Sequence, residues 1–233
     1  MPFNTSLAAP KALARKAGSL YLLIAVIGAF AIAYVPSQII ISGDAVATMA
    51  QMRARAGLFR LGIAGDMAVI AAEIALTAIL YFLLRPVDPV RALIAAMARF
   101  GMVMVMSINL LINVAAFMMA QGTLSGTAEG MQVLLDIHAQ GVYLWGVLFG
   151  IHLFVLGGLI CQSGYFPKLL GGGLLVGAFG YLVEGASTLM GLEHVALTWT
   201  TIALLSLVTI SELAYAFWLL IKGLNEEKWR AAA

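Results

Sequence analysis

The chain has 233 residues, 63% of them hydrophobic and only 10% charged, with a formal net charge of +2. A soluble domain of this size cannot bury so much apolar surface, so composition excludes an ordinary globular domain and points to lipid as the solvent. The slight positive balance excludes a nucleic-acid partner.

The first apolar stretch runs from about residue 17 to 41 behind Lys11, Arg15 and Lys16, and with Ala31-Ile32-Ala33 it imitates a secretory signal and its cleavage site. Its uncharged run from Ala17 to Gly43 is longer than a signal core, so a retained span is expected. Five more spans follow at about 61–84, 92–120, 140–161, 169–192 and 195–221. Each is long enough to cross a hydrocarbon core of roughly 30 Å as a helix. Helices are required because lipid offers backbone groups no water, and the segments are too long and too continuously apolar for barrel strands. The expected fold is all-α: a polytopic bundle of six transmembrane helices forming a single integral membrane domain over residues 1–233. Tight turns at Arg85-Pro86-Val87-Asp88-Pro89 and Ser163-Gly164-Tyr165-Phe166-Pro167-Lys168 make consecutive helices antiparallel neighbours.

Lys11, Arg15, Lys16, Arg85, Arg91, Lys168, Lys222, Lys228 and Arg230 fall on one side of these spans, and only Arg53, Arg55 and Arg60 on the other. The positive-inside rule then places both termini in the cytoplasm and Asp44, Glu129, Asp136 and Glu193 outside, as in a multi-pass protein of a bacterial cytoplasmic (inner) membrane. Membrane lipids are the certain partners; a small-molecule ligand or proton, a second copy, or a larger membrane complex are the open ones. Two outer loops, the first and third, read as short interfacial helices. Ser42 or Asp44 can cap a segment whose Ala45, Met49, Met52, Ala56 and Phe59 recur at helical spacing. Ser125 or Thr127 can cap a turn leading through Met131, Leu134 and Leu135 into the fourth span. Such segments either tidy the helix ends or cover an outward-facing cavity.

Ionisable groups inside the spans carry the functional inference. In the second span Asp66 and Glu73 together cost about 5 to 7 kcal/mol if both are ionised and central, whereas its eleven large aliphatic or Phe residues return about 5. That helix needs partners, protons or water for its acids. Counting about 1.5 Å per residue from alternating ends puts Glu73, Arg99, His152 and Glu212 in one inner layer. Asp66, Glu184, Asn109 and Asn113 form a second, outer layer by the same count. The functional reading is a polar pocket, or a proton or ion path, between the second to sixth spans. The competing reading makes Arg99 an interhelical staple to Glu73 or Glu212, with the other acids protonated or near headgroups.

His138 and His152 lie fourteen residues apart on nearly one face, a separation seen in helices that hold two haems. No second span offers facing histidines, and the methionines of the third span, Met97, Met102, Met104 and Met106, read as packing, so neither haem nor any metal or other cofactor is expected. Both histidines remain candidates for the polar path. Cys161 is a lone cysteine at a span end and reads as packing too. Gly146 with Gly150, Gly173 with Gly177, and the run Gly171-Gly172-Gly173 predict close packing of the fourth and fifth spans. A zinc His-Glu-x-x-His pair, a Gly-x-Ser-x-Gly nucleophile turn and a phosphate loop are all missing from the sequence, and no catalytic residue is assigned.

Motifs in nearly every loop resemble one family. They are Gly43-Asp44-Ala45, Phe59-Arg60-Leu61-Gly62-Ile63 leading to Asp66, Leu84-Arg85-Pro86-Val87, Asp136-Ile137-His138, Gly150-Ile151-His152, and Ser163 to Lys168 before Leu170-Gly171. Together they resemble a bacterial family of small six-span membrane proteins known as a domain of unknown function (DUF4386). The family pattern places an acid after Gly-Tyr-Leu in the fifth span, and Gly180-Tyr181-Leu182-Val183-Glu184 offers Glu where Asp is more usual. The resemblance implies the six-span fold and no activity. The expected function is a non-enzymatic membrane protein that binds or passes a small solute or proton through the Glu73, Arg99, His152 and Glu212 layer, with Asp66, Asn113 and Glu184 at the outer mouth. Two alternatives stand beside it: an intramembrane enzyme on lipid or quinone using His152 with a carboxylate, and an accessory subunit of a membrane complex.

Overall fold

The computed structural model describes residues 9–192 and 194–232, so Glu193, placed outside by the charge count, lies beyond the described residues. Six helices are long and apolar enough to cross a membrane: α1 (Pro10–Ser37), α3 (Ala56–Leu84), α4 (Pro89–Ala120), α5 (Ala128–Ser163), α6 (Lys168–Leu189) and α7 (Val195–Ile221). Two short helices complete the chain, α2 (Ala45–Ala54) and α8 (Glu226–Ala232), and no strand occurs among the described residues.

Local chemistry sets the ends. Pro10 and Pro89 occupy first turns, where a missing N–H costs nothing. Asp88 accepts from the N–H groups of Val90 and Arg91, both at 3.0 Å, and caps α4. Gly164, at φ +70°, ends α5 in the left-handed conformation that residues with a Cβ avoid. Within α1, residues Ala29–Tyr34 wind as a π-helix, and the Val35 N–H reaches back to the Phe30 carbonyl. Pro36 has no N–H to continue the ordinary ladder, and its ring crowds the carbonyl four residues earlier, so the wider turn absorbs the misfit.

The spans form a closed ring in chain order, α1–α3–α4–α5–α6–α7, with α7 returning to α1. Consecutive helices are antiparallel neighbours, as the short turns require. The α5–α6 seam is glycine-built: a Cβ on Gly157 would stand 2.6 Å from the Gly171 carbonyl oxygen, so the two helices meet backbone to backbone. Gly173 and Gly177 face α7 instead of α5, against Ser211 and Val208. The glycine pattern thus serves two seams where the sequence suggested one.

The expected outer helices differ in kind. α2 is a separate element capped by Asp44, whose side chain accepts from Ala47 N–H at 2.8 Å. Its Met49 and Met52 join Phe59, Phe117, Met131 and Leu135 in an outer core, and Arg53 donates to the Ala120 carbonyl. The second segment is helical from its Thr127 cap, and it continues unbroken as the first turns of α5. At the opposite end the start of α1 meets the start of α8. Lys11 N–H donates to Glu226 at 3.2 Å, and the Leu83 carbonyl accepts from Tyr165 Oη at 2.7 Å and from Trp229 Nε1 at 2.9 Å. Both helix starts therefore lie on the basic face.

Candidate functional site

At the centre of the ring, Arg99 of α4 is 1% exposed. A guanidinium at that depth needs acceptors, and three helices supply them. Its Nε donates to Glu73 Oε2 of α3 at 2.6 Å, the one ion pair among the described residues. Its Nη1 donates to His152 Nε2 of α5 at 3.0 Å and to Tyr21 Oη of α1 at 3.3 Å. The rings of Tyr21 and Phe149 lie 5.1 and 5.3 Å from its central carbon, within cation–π range. His152 is fixed in turn: Nδ1 lies 2.8 Å from the Ala95 carbonyl, which can only accept. The proton is thus assigned to Nδ1, leaving the Nε2 lone pair for Arg99.

The guanidinium and Glu73 form part of the wall of a cavity of about 410 Å³. All six spans contribute to that wall, including α1 through Tyr21 and its π-helical turn at Ala29 and Ile32. Trp145, Phe149 and Tyr181 provide aromatic surface, and Glu212 of α7 faces the same space. Glu212 forms no hydrogen bond or ion pair among the described residues. The chamber opens sideways. Ala25 and Ala29 of α1 and Thr209 and Leu213 of α7 line it and are exposed, whereas nearer the basic face Gly18 packs against Ala216 and Leu220 and closes the gap. A slot at hydrocarbon depth between α1 and α7 follows.

A second chamber of about 430 Å³ lies toward the face opposite the basic one, the outer face by the charge count, lined by Asn113, His138, Tyr143, Phe59 and Glu184 among others. Ile32, Trp145 and Tyr181 line both chambers and form the partition between them. Asp66 faces a narrow cleft with Asn109, Asn113 and His138.

The structure thus brings Glu73, Arg99 and His152 into direct contact and sets Glu212 in the wall of the same chamber as Glu73 and Arg99. His152 is the exception to the expected lining: it is 1% exposed and stands behind Arg99, outside the chamber wall, with both ring nitrogens engaged. The lateral slot shows Glu212, not His152. Asn109 and His138 lock α4 to α5 reciprocally, since Asn109 Nδ2 donates to the His138 carbonyl at 3.1 Å and His138 Nδ1 approaches the Asn109 carbonyl at 3.1 Å. Gly141 makes room for that lock, because a Cβ there would collide with the Asn109 amide. Glu184 and Glu212 both line cavities within the bundle. Sequence reasoning placed the pocket among the second to sixth spans and missed α1. Tyr21, an amphipathic ring one helix away from Arg99, and Pro36 were the available signals.

A protein family described as Domain of unknown function (DUF4386) matches residues 16–223. The chain belongs to that family. An uncharacterized protein of Archaeoglobus fulgidus is 30% identical over 166 residues, which cover 69% of this chain and 83% of the relative. No solved structure matches the chain. Neither description names an activity.

Proposed function

We propose that this is a multi-pass protein of the bacterial cytoplasmic membrane, one integral domain with both termini in the cytoplasm, that binds a small, mostly apolar solute in the inner chamber. The observation carrying the reading is a cavity of about 410 Å³ at hydrocarbon depth in which Glu212 has no hydrogen-bond or ion-pair partner among the described residues while Arg99 is already paired. A purely structural staple needs no such space, and a lone carboxyl in lipid needs a proton or a ligand. The outer chamber, behind the Ile32, Trp145 and Tyr181 partition, lies on the route to the far side.

The test uses purified full-length protein in detergent and three probes of one shape: benzyltrimethylammonium, benzyl alcohol and phenylacetate. At least one binds saturably, read as a concentration-dependent rise in melting temperature. Ala25→Phe, which puts a ring into the chamber, removes that binding while elution and helicity stay normal. Unaltered binding by the Ala25→Phe protein, or no saturable binding of any probe, defeats the proposal.

A further inference from the structure

Resting on that reading, we infer that the inner chamber selects a lipophilic organic monocation, a substituted ammonium ion, with Glu212 as its counter-charge. Two carboxylates, Glu73 and Glu212, face one guanidinium, and His152 is placed as a neutral imidazole by its two hydrogen bonds. Glu73 and Arg99 touch at 2.6 Å and neutralise each other. One negative charge is left over, on Glu212 in the chamber wall, at a depth where an uncompensated charge is strongly disfavoured. A monocation brings the chamber to neutrality. A neutral solute leaves Glu212 to hold a proton, and an anion doubles the imbalance.

The walls fit the same ligand. The rings of Tyr21 and Phe149 already stack on Arg99, but among the described residues Trp145 and Tyr181 carry no cation on their faces, and they line the chamber together with the apolar side chains of Ile24, Val69 and Met102. Indole and phenol faces attract ammonium groups, and the aliphatic surface accepts their hydrocarbon substituents. The route in suits a lipophilic ion too. The slot between α1 and α7 is rimmed by Ala25, Ala29, Thr209 and Leu213, small or apolar side chains that offer no charge to an ion arriving from the bilayer.

The three probes named above discriminate directly. Benzyltrimethylammonium binds best, and phenylacetate binds about tenfold more weakly or worse, as like charge opposes it. Glu212→Gln lowers cation affinity by about tenfold or more, while Glu212→Asp, which keeps the charge, retains binding. Glu73→Gln loses the cation as well, although Glu212 is untouched, because the Arg99 charge then balances that of Glu212 within the same chamber. A Gln there still accepts from Arg99 Nε, so this variant decides the matter should Glu212→Gln fail to fold. Preference for phenylacetate or benzyl alcohol, or wild-type cation binding by Glu73→Gln, overturns the inference and leaves the chamber a binding site. Failure of all three probes on the wild-type protein overturns both.

Discussion

Replacing Arg99 by Met keeps a long, apolar stem and deletes the guanidinium that ties α4 to α1, α3 and α5. Glu73 Oε2, Tyr21 Oη and His152 Nε2 lose contacts of 2.6, 3.3 and 3.0 Å. Three side-chain hydrogen bonds in a bilayer protein at roughly 0.6 kcal/mol each set a lower bound of about 2 kcal/mol. A carboxylate abandoned in the interior raises the cost to about 3 to 5 kcal/mol, and Glu73, only 4% exposed, is such a group. The double variant Glu73→Gln, Arg99→Met removes both charges and should recover at least about 1.5 kcal/mol of that loss, within the range found for directly coupled pairs. Equilibrium unfolding in mixed micelles, followed by helicity, measures all four corners of the cycle. A loss below about 1 kcal/mol for Arg99→Met, or additive effects in the double variant, would refute the view that this buried pair holds the ring together.

Tyr215 is fully buried, and its hydroxyl has no hydrogen-bond partner among the described residues, so Tyr215→Phe should raise stability by about 1 kcal/mol in the same unfolding assay. Its edge contacts with Tyr21 and Phe166 survive the change, and any loss of stability would show that the hydroxyl is satisfied. The proposed topology, with both termini cytoplasmic, is checked with an impermeant maleimide on intact cells, in a Cys161→Ser background. A cysteine at Thr123, exposed in the outer turn, should label, and one at Glu227, exposed beside the docked C-terminal helix, should not. The reverse pattern would invert the orientation.

The layers were legible because antiparallel helices convert residue count into depth. Glu73, Arg99, His152 and Glu212 were placed together by that count, and three of them touch. Which acid pairs with Arg99 was not legible, because the angular position of a side chain around its helix depends on how each helix is rotated against its neighbours. The same limit hid the role of Asn109 and His138. They read as members of a polar path, and the packing allowed by Gly141 makes Asn109 a lock to the His138 backbone, while His138 still reaches the outer chamber. His152 illustrates the point from the other side: its depth was right, but its ring stands behind the guanidinium it supports.

Composition and spacing alone determined that this chain lives in lipid, how many times it crosses, and which spans carry charge at hydrocarbon depth, because those follow from the solvation cost of each residue along one axis. Only the tertiary structure decided that α1 closes the ring against α7, that Arg99 belongs to Glu73, and that Glu212 faces an open chamber alone. Those facts depend on helix rotation and on where glycine seams let backbones meet, and such lateral contacts leave no signature in a one-dimensional hydropathy pattern.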